Sequence, residues 1–374
     1  MLPYILLMFL PLAFTFVAYY TNGERKGKLV IAFEENKNII DYNLVLPIFF
    51  VILALLLSCR DKSIGRDLMN YEYFFEKISR IKFSDIPYFG LDALYVLLNW
   101  LVSRLTDNFQ VLVAIVALIT IIPIALLYCK NRSDSFMKIV LFMNMSNFVM
   151  LFSGLRQSIA VSIGIVAMKY VREKKPLKFI LLVLIAMGMH HTGFMILLLY
   201  PLYHFTFKKK HLIAIIPSFI ALLIFNNQIF TLLTRVLSRL LGDEYEVTIS
   251  STGAYTMLIF FVLLSMIAYI VPDETRMDRE ALGLRNFLLL ATFLQCFAPV
   301  HTLSMRMNYY FVIFVPIAIS KILSCAKDDL KDMAWVSKRV LVIFFMCYYL
   351  YTTYISCQTG ISALDTYPYI PFWK

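Results

Sequence analysis

Charged and polar residues stand at the ends of several apolar stretches of this chain, where they could form an anion-binding site. Arg156 and Gln157 open one apolar run, and His190 closes the next, after the basic segment Lys169–Lys178. If both runs cross a bilayer, Arg156 and His190 lie on the same membrane face. An arginine there is costly unless it serves an anion or a water-filled cavity. The alternative is an interfacial arginine that reaches lipid phosphates.

Other polar residues are predicted to lie on the same face. Guanidinium groups bind phosphate oxygens bidentately and stay charged at any working pH, so several arginines there would suit a diphosphate. The start of a helix at Arg156 would also favour an anion. The further candidates are Arg60, Arg66, Asp67, Tyr71, Thr192, Arg306 and Tyr310.

A proton acceptor is also present among these candidates. Asp67 or His190 could accept a proton in the same site, and the unperturbed pKa of histidine favours His190. The alternatives are ordinary structural roles. Arg60 and Arg66 would be solvated loop charges, His190 a hydrogen-bonded helix-end residue, and the tyrosines members of an interfacial belt.

The composition indicates that helices crossing a membrane position these residues. The chain is 60% hydrophobic and 16% charged, and its apolar residues fall in blocks that could cross a bilayer. Spanning segments so often interrupted by charges must be helices. We therefore predict an all-α, polytopic helical bundle of about twelve transmembrane helices in a single domain over residues 1–374. The predicted spans are 3–20, 44–58, 109–129, 136–154, 157–171, 178–190, 192–206, 212–225, 255–272, 286–300, 307–324 and 340–357.

The distribution of Lys and Arg sets the predicted orientation. They are concentrated in alternate connections, which should be cytoplasmic, so both termini and the excursions 59–108 and 226–253 face outward. Leu91–Leu105 is then an amphipathic helix along the outer face. The alternative is that Leu91–Leu105 is an ordinary span, which would reverse the membrane orientation of every predicted span before it. The net charge of +11 reflects these connections and does not indicate a nucleic-acid partner.

The sequence lacks the motifs of several common catalytic and metal-binding sites. No HExxH, Walker loop or nucleophile elbow occurs, and the six cysteines form no CxxC pair. The acidic pair Asp328-Asp329 falls on the predicted cytoplasmic side. We therefore predict a metal-independent site with no cofactor, in which arginines stabilise the leaving group.

Four motifs in this chain resemble those of the EpsG-like family of bacterial polysaccharide polymerases, over roughly residues 50–325. One departure is Asp92, where the family usually has Glu. The motifs are Arg60-x4-Gly65-x-Asp67-x3-Tyr71, Arg156-Gln157-x2-Ala160, His190-x-Thr192-Gly193 and Arg306-x3-Tyr310-Phe311.

The resemblance implies a GT-C-like, Wzy-type glycosyltransferase that makes O-antigen, capsular or exopolysaccharide chains. It would join oligosaccharide repeat units carried on undecaprenyl diphosphate, at the outer face of the bacterial cytoplasmic membrane. Membrane lipid and a chain-length regulator protein are the expected partners. The alternatives are a flippase for the lipid-linked oligosaccharide, which should show repeat symmetry, and an O-antigen ligase.

The residues and the resemblance together suggest roles for the candidates. Arg156, with Arg60 and Arg306, would bind the donor diphosphate and stabilise its developing charge. Asp67 or His190 would accept the proton of the attacking hydroxyl. The other substrate-binding candidates are Arg66, Tyr71, Gln157, Thr192 and Tyr310.

Overall fold

The computed structural model describes residues 2–23, 44–207, 209–241 and 253–374. The described residues are helical and contain no β-strand, which confirms the all-α prediction. The α-helices are α1 Leu2–Gly23, α2 Val45–Ser58, α3 Leu68–Ile78, α4 Ala93–Ser103, α5 Phe109–Cys129, α6 Ser135–Asn144, α7 Ser146–Ser153, α8 Leu155–Arg172, α9 Pro176–Met189, α10 Leu199–His204, α11 Leu212–Ile224, α12 Asn226–Leu241, α13 Gly253–Ile270, α14 Arg279–Gln295, α15 Thr302–Val312, α16 Val315–Leu323 and α17 Lys331–Thr359.

The described helices include two that are long and apolar enough to cross a membrane. They are Phe109–Cys129 and the segment Asp328–Thr359, which contains α17. The number rises to five if each of three bent helix pairs forms one span, with bends of 62° between α6 and α7, 86° between α11 and α12, and 42° between α15 and α16. These apolar helices therefore support the prediction that the chain is a membrane protein. The total of about twelve spans and the outer-face helix at 91–105 stay predictions.

Helix length explains why the other apolar segments do not meet this criterion. Val45–Ser58 has 14 residues, and at 1.5 Å per residue it extends about 21 Å, against a hydrocarbon core of roughly 30 Å. Ala93–Ser103, with 11 residues, is shorter still. These two helices therefore fall below the length criterion for a span.

The described chain forms two compact units. The first contains Met1–Asn144, Phe148–Val166 and Leu341–Lys374, and the second contains Met145–Asn147 and Ala167–Val340. In the first unit, α2 packs against α5 and α1. An aromatic ring of α6 packs on both α2 and α5: Phe142 lies edge-on to Phe50, with centroids 5.9 Å apart, and to Tyr128, at 5.6 Å. These rings are almost completely buried and form part of the core of the unit.

A smaller helical hairpin in the same unit spans the predicted excursion 59–108. Helix α3, the 3-10 helix Phe83–Tyr88 and α4 pack around Ile78, Ile86 and Val96. This hairpin positions two parts of the candidate site, because Tyr71 lies on α3 and Asp92 immediately precedes α4. In the second excursion, 226–253, α12 is described, and residues 242–252 lie outside the described residues.

The C-terminal segment folds back onto the loop between α2 and α3. Arg60 and Pro371 form an isolated antiparallel bridge. Backbone hydrogen bonds on either side extend this contact: Phe372 N–H to Cys59 O (2.9 Å), Asp61 N–H to Ile370 O (2.8 Å), Gly65 N–H to Asp365 O (3.0 Å) and Arg66 N–H to Leu364 O (2.9 Å). The segment after α17 is thus part of the first unit and fixes the loop that carries the first motif.

Helix α14 is central to the second unit, where it packs against α10, α13, α15 and α16. Polar side chains join these helices. The Asn308 amide donates to Ala291 O at 2.9 Å, and the Asn286 amide donates to Leu202 O at 2.7 Å. Since buried polar groups need partners, these bonds fix how α10 and α15 pack on α14.

Candidate active site

The predicted site residues divide between the two units. Arg60, Arg66, Asp67, Tyr71, Arg156 and Gln157 belong to the first unit, and His190, Thr192, Arg306 and Tyr310 belong to the second. The predicted gathering of Arg60, Arg156 and Arg306 around one pocket stays a prediction. Each group has its own geometry within its unit.

Arg156 is the second residue of α8 and forms an ion pair with Asp92. Its Nη1 donates to Asp92 Oδ2 at 2.9 Å, and 20% of the Arg156 side chain and 12% of the Asp92 side chain are exposed. The guanidinium carbon lies 6.0 Å from the centre of the Tyr95 ring. Asp92 and Tyr95 thus hold the guanidinium, which stays partly accessible. The N-terminus of α8 also favours negative charge at this position.

Tyr71 completes this cluster from α3. Its phenol interacts with both the guanidinium and the backbone N–H of Arg156. Its ring lies edge-on to Tyr95, with centroids 5.7 Å apart. Burial raises the pKa of the Tyr71 phenol, and the nearby Arg156 charge opposes that shift. Tyr71 therefore stays protonated at neutral pH, with a hydroxyl that can both accept and donate.

The first motif holds Asp67 close to the segment that leads into α8. Gly65 has a φ of +105°, and an added Cβ would lie 1.9 Å from the Phe152 carbonyl oxygen. Only glycine can occupy this position, since it accepts the positive φ and has no Cβ. Two residues later, the Asp67 N–H donates to Ser153 Oγ at 3.2 Å, and Ser153 Oγ donates to Asp67 Oδ2 at 3.1 Å.

Arg60 and Arg66 differ sharply in exposure. Arg60 is 1% exposed, its Nη1 donates to Leu57 O at 2.6 Å, and its guanidinium lies 5.7 Å from the Phe152 ring centre. Burial lowers the pKa of Arg60 to about 10, so it is still charged at neutral pH. Arg66 is exposed and pairs with Asp365 at 3.1 Å. Gln157, beside Arg156, is buried.

His190, Thr192 and Tyr310 form a buried chain of polar contacts in the second unit. His190 Nδ1 accepts the Thr192 N–H at 3.2 Å and lies 2.7 Å from Thr192 Oγ1, which is 3.1 Å from the Tyr310 hydroxyl. Because Nδ1 accepts a backbone N–H, the neutral imidazole carries its proton on Nε2. His190 therefore presents a donor at Nε2.

Tight packing explains the glycine of the third motif. A Cβ on Gly193 would lie 2.7 Å from the Ala186 carbonyl carbon, so α9 and the 3-10 helix His191–Leu198 can approach only with glycine there. Arg306 is exposed on α15, one turn before the buried Tyr310.

Three residues around Arg156 and Asp67 were not selected from the sequence: Asp92, Tyr95 and Ser153. The spacing of Asp92, Tyr95 and Asn99 does contain a signal, because residues three and seven apart share one helix face. In the structure Tyr95 and Asn99 are completely buried. The polar stripe of α4 thus faces the protein interior.

The helices and the polar clusters define a helical membrane protein with a partly accessible cationic site. The chain belongs to the EpsG family, whose model matches residues 43–370. Membership indicates a polysaccharide-polymerase type of function, with glycosyltransferase-like chemistry on lipid-linked substrates in a membrane. No curated protein and no solved structure matches the chain.

Proposed function

We propose that this protein joins oligosaccharide repeat units, carried on undecaprenyl diphosphate, into long polysaccharide chains at the outer face of the bacterial cytoplasmic membrane. It would be a Wzy-type, metal-independent polymerase of O-antigen, capsule or exopolysaccharide. The observation that carries the proposal is Arg156, a partly exposed guanidinium at the start of α8 that Asp92 and Tyr71 hold in place. EpsG family membership supports the same chemistry.

The donor step requires stabilisation of a leaving diphosphate. The bond between the anomeric carbon and the phosphate oxygen breaks, and that oxygen keeps the electron pair. A fixed guanidinium and the N-terminal amides of α8 would stabilise this charge without reorganising, which is how preorganised donors lower a barrier. Arg60 and Arg306 stay candidates for further diphosphate contacts, with Arg66, Gln157, Thr192 and Tyr310 as candidates for binding the substrate.

The acceptor step requires a base for the attacking hydroxyl. The new bond forms between the acceptor oxygen and the anomeric carbon, and the hydroxyl proton passes to the base. Asp67 suits this role as a part-buried carboxylate, held by Ser153 and able only to accept when ionised. His190 suits a donor role, since acceptance at Nε2 would require the other tautomer and the loss of its bond from Thr192 N–H. The hydrogen bonds thus favour Asp67 as the proton acceptor, whereas the unperturbed pKa of histidine alone favoured His190.

The test is the state of the glycan in cells that lack this gene and carry variants on a plasmid. Arg156→Ala should remove long-chain polymer and leave single repeat units on the terminal acceptor, with a normal protein level. The matched control is Arg80→Ala, which removes an exposed arginine of the same unit outside the cluster. Normal polymer in the Arg156→Ala strain would contradict the proposal.

The same extracts separate the alternative functions. Polymer that accumulates on the lipid carrier instead of its final acceptor would indicate a ligase. Repeat units that never reach the outer face would indicate a flippase. Single units on the acceptor, without polymer, are the result that a polymerase defect predicts.

A further inference from the structure

A cavity of about 330 Å³ lies in the first unit, apart from the Arg156 cluster. It is near the lower end of the size range of small-ligand pockets, about 300–1,000 Å³. Its walls come from the loop after α2, from α3, from the turn into α5 and from the C-terminal segment. The lining residues that matter here are Asp61, Lys62, Glu72, Phe75, Glu76, Asp107, Phe109 and Phe372.

The charge of the lining argues against an anionic ligand. Four carboxylates face one ammonium group, Lys62, which pairs with Glu72 at 2.9 Å. The diphosphate proposed for Arg156 would be repelled here. In the described parts of the chain, no three His, Cys, Asp or Glu side chains converge as a metal-ligand group. The carboxylates of Asp61, Glu76 and Asp107 therefore do not form such a group.

The combination of hydrogen-bond acceptors and aromatic rings suits a sugar ring. Carboxylates accept hydrogen bonds from hydroxyl or ammonium groups, and the C–H face of a pyranose packs on a phenyl ring. Phe75 and Phe109 form the buried wall, with ring centroids 5.9 Å apart. Phe372 is 45% exposed, so its ring is available to a ligand. The rim acids Glu76 and Asp107 are also exposed.

The cavity is connected to the Arg156 cluster through α3. Tyr71 lies on the face of α3 that meets Arg156, and the next residue along the chain, Glu72, lines the cavity, as does Glu76 one turn later. One short helix therefore separates the partly exposed Arg156 guanidinium, which pairs with Asp92, from an anionic cavity within the same unit. A ligand with an anionic end and a neutral glycan matches this division of charge.

We propose that this cavity is a sugar subsite, which takes a neutral or amino-bearing pyranose ring of the lipid-linked glycan and rejects a carboxylated one. The proposal rests on the proposed function for the identity of the glycan. The C-terminal segment takes part directly, because the Phe372 N–H bonds to Cys59 O at 2.9 Å and thereby places the Phe372 ring at the cavity.

The test is binding of glycan without diphosphate to the full-length protein in lipid nanodiscs, followed by saturation-transfer NMR. The probe is the oligosaccharide released by mild acid from the lipid-linked pool of the strain that carries this chain. We expect Phe372→Ala, and separately the pair Glu76→Gln and Asp107→Asn, to weaken binding about tenfold, near 1.4 kcal/mol. Asp85→Asn, an exposed acid outside the cavity, is the matched control and should bind normally.

Competition defines the class of ligand. Glucosamine should displace the oligosaccharide at millimolar concentration, whereas glucuronic acid and inorganic pyrophosphate should not. Equal binding by wild type and both cavity variants, absence of binding to wild type, or displacement by pyrophosphate would each overturn the proposal. Displacement by spermidine but not by sugars would assign the cavity to a polyamine instead.

The two proposals fail in different ways. If wild type makes polymer and the cavity variants bind the oligosaccharide normally, the subsite alone is wrong. If Arg156→Ala retains polymer, the proposed function of Arg156 is wrong, whatever the cavity binds. Arg156→Ala protein should still bind the diphosphate-free oligosaccharide, because its substitution leaves the cavity lining intact.

Discussion

Arg156 in the first unit and Arg285 in the second are both ion-paired arginines, but they differ in access. Arg285 is completely buried: its Nη2 donates to Phe207 O at 2.6 Å and to Glu274 Oε1 at 3.1 Å, and its guanidinium lies 4.4 Å from the Tyr269 ring centre. Arg156 has a carboxylate and an aromatic ring as partners too, yet 20% of its side chain is exposed.

Access therefore distinguishes an arginine that joins structural elements from one that can meet a ligand. Arg285 connects α14 to α13, to the loop before α14 and to the segment after α10. Removal of one partner of such a pair leaves an uncompensated charge in the interior. The Arg156 side chain is 20% exposed and can meet a ligand, so the main consequence of its loss should be chemical.

The largest effect on stability is expected at Arg285. Glu274→Gln should destabilise the protein by about 3–5 kcal/mol, because the completely buried Arg285 charge loses its counter-ion. Thermal unfolding in detergent and the protein level in membranes measure this. Addition of Arg285→Met should restore part of the loss, and an unchanged unfolding temperature for Glu274→Gln alone would contradict the comparison.

Arg156→Lys should lower the polymerisation rate about 10²–10³-fold, the range for loss of one preorganised donor. Lysine keeps the positive charge but loses the planar fork that contacts Asp92 and Tyr71 together. Rates in isolated membranes, with thermal unfolding measured beside them, separate activity from folding. A large fall in stability with a normal rate would place Arg156 in the same class as Arg285.

Gly65→Ala should be destabilising by about 2–3 kcal/mol and should lower polymer, because its Cβ meets the Phe152 carbonyl and its φ is positive. Gly90 is the matched control: its φ is +83°, and a Cβ there meets nothing within 4 Å. Gly90→Ala should cost only the backbone strain, about 1–2 kcal/mol. Equal unfolding temperatures for the two variants would show that contact with Phe152 does not fix the Asp67 loop.

The smallest effect is expected for the exposed pair of Arg66 and Asp365, whose side chains are 61% and 54% exposed. Asp365→Asn should change the free energy of unfolding by less than about 1 kcal/mol, as is usual for surface ion pairs. Chemical denaturation measures the change. A larger loss would mean that this pair, more than the backbone bonds, holds the C-terminal segment to the loop.

The long apolar runs made most helices predictable. The expected spans 44–58 and 109–129 correspond to Val45–Ser58 and Phe109–Cys129. The breaks within runs were not predictable in the same way. The segment 136–154 is apolar throughout, yet it bends by 62° between α6 and α7. The hydrophobicity of a segment indicates that it is buried, but it does not indicate where the helix axis bends within that segment.

The site was predictable in its motifs but not in its contacts. The resemblance to the family motif around Gly65 and Asp67 indicated a functional loop, and the structure gives a steric reason for the glycine. The ion pair between Arg156 and Asp92 joins residues 64 positions apart, and only the tertiary contact between the start of α8 and the start of α4 brings them together. The contact between the C-terminal segment and the 59–66 loop is likewise a tertiary contact with no local signal.

The most direct test of the central claim is polymerisation by the purified protein in liposomes, with isotopically labelled undecaprenyl-diphosphate-linked repeat units. Wild-type protein should give a ladder of lengthening glycans and release one undecaprenyl diphosphate for each bond formed, whereas Arg156→Ala should give neither. A normal ladder from Arg156→Ala protein, or no ladder from folded wild-type protein, would contradict the account.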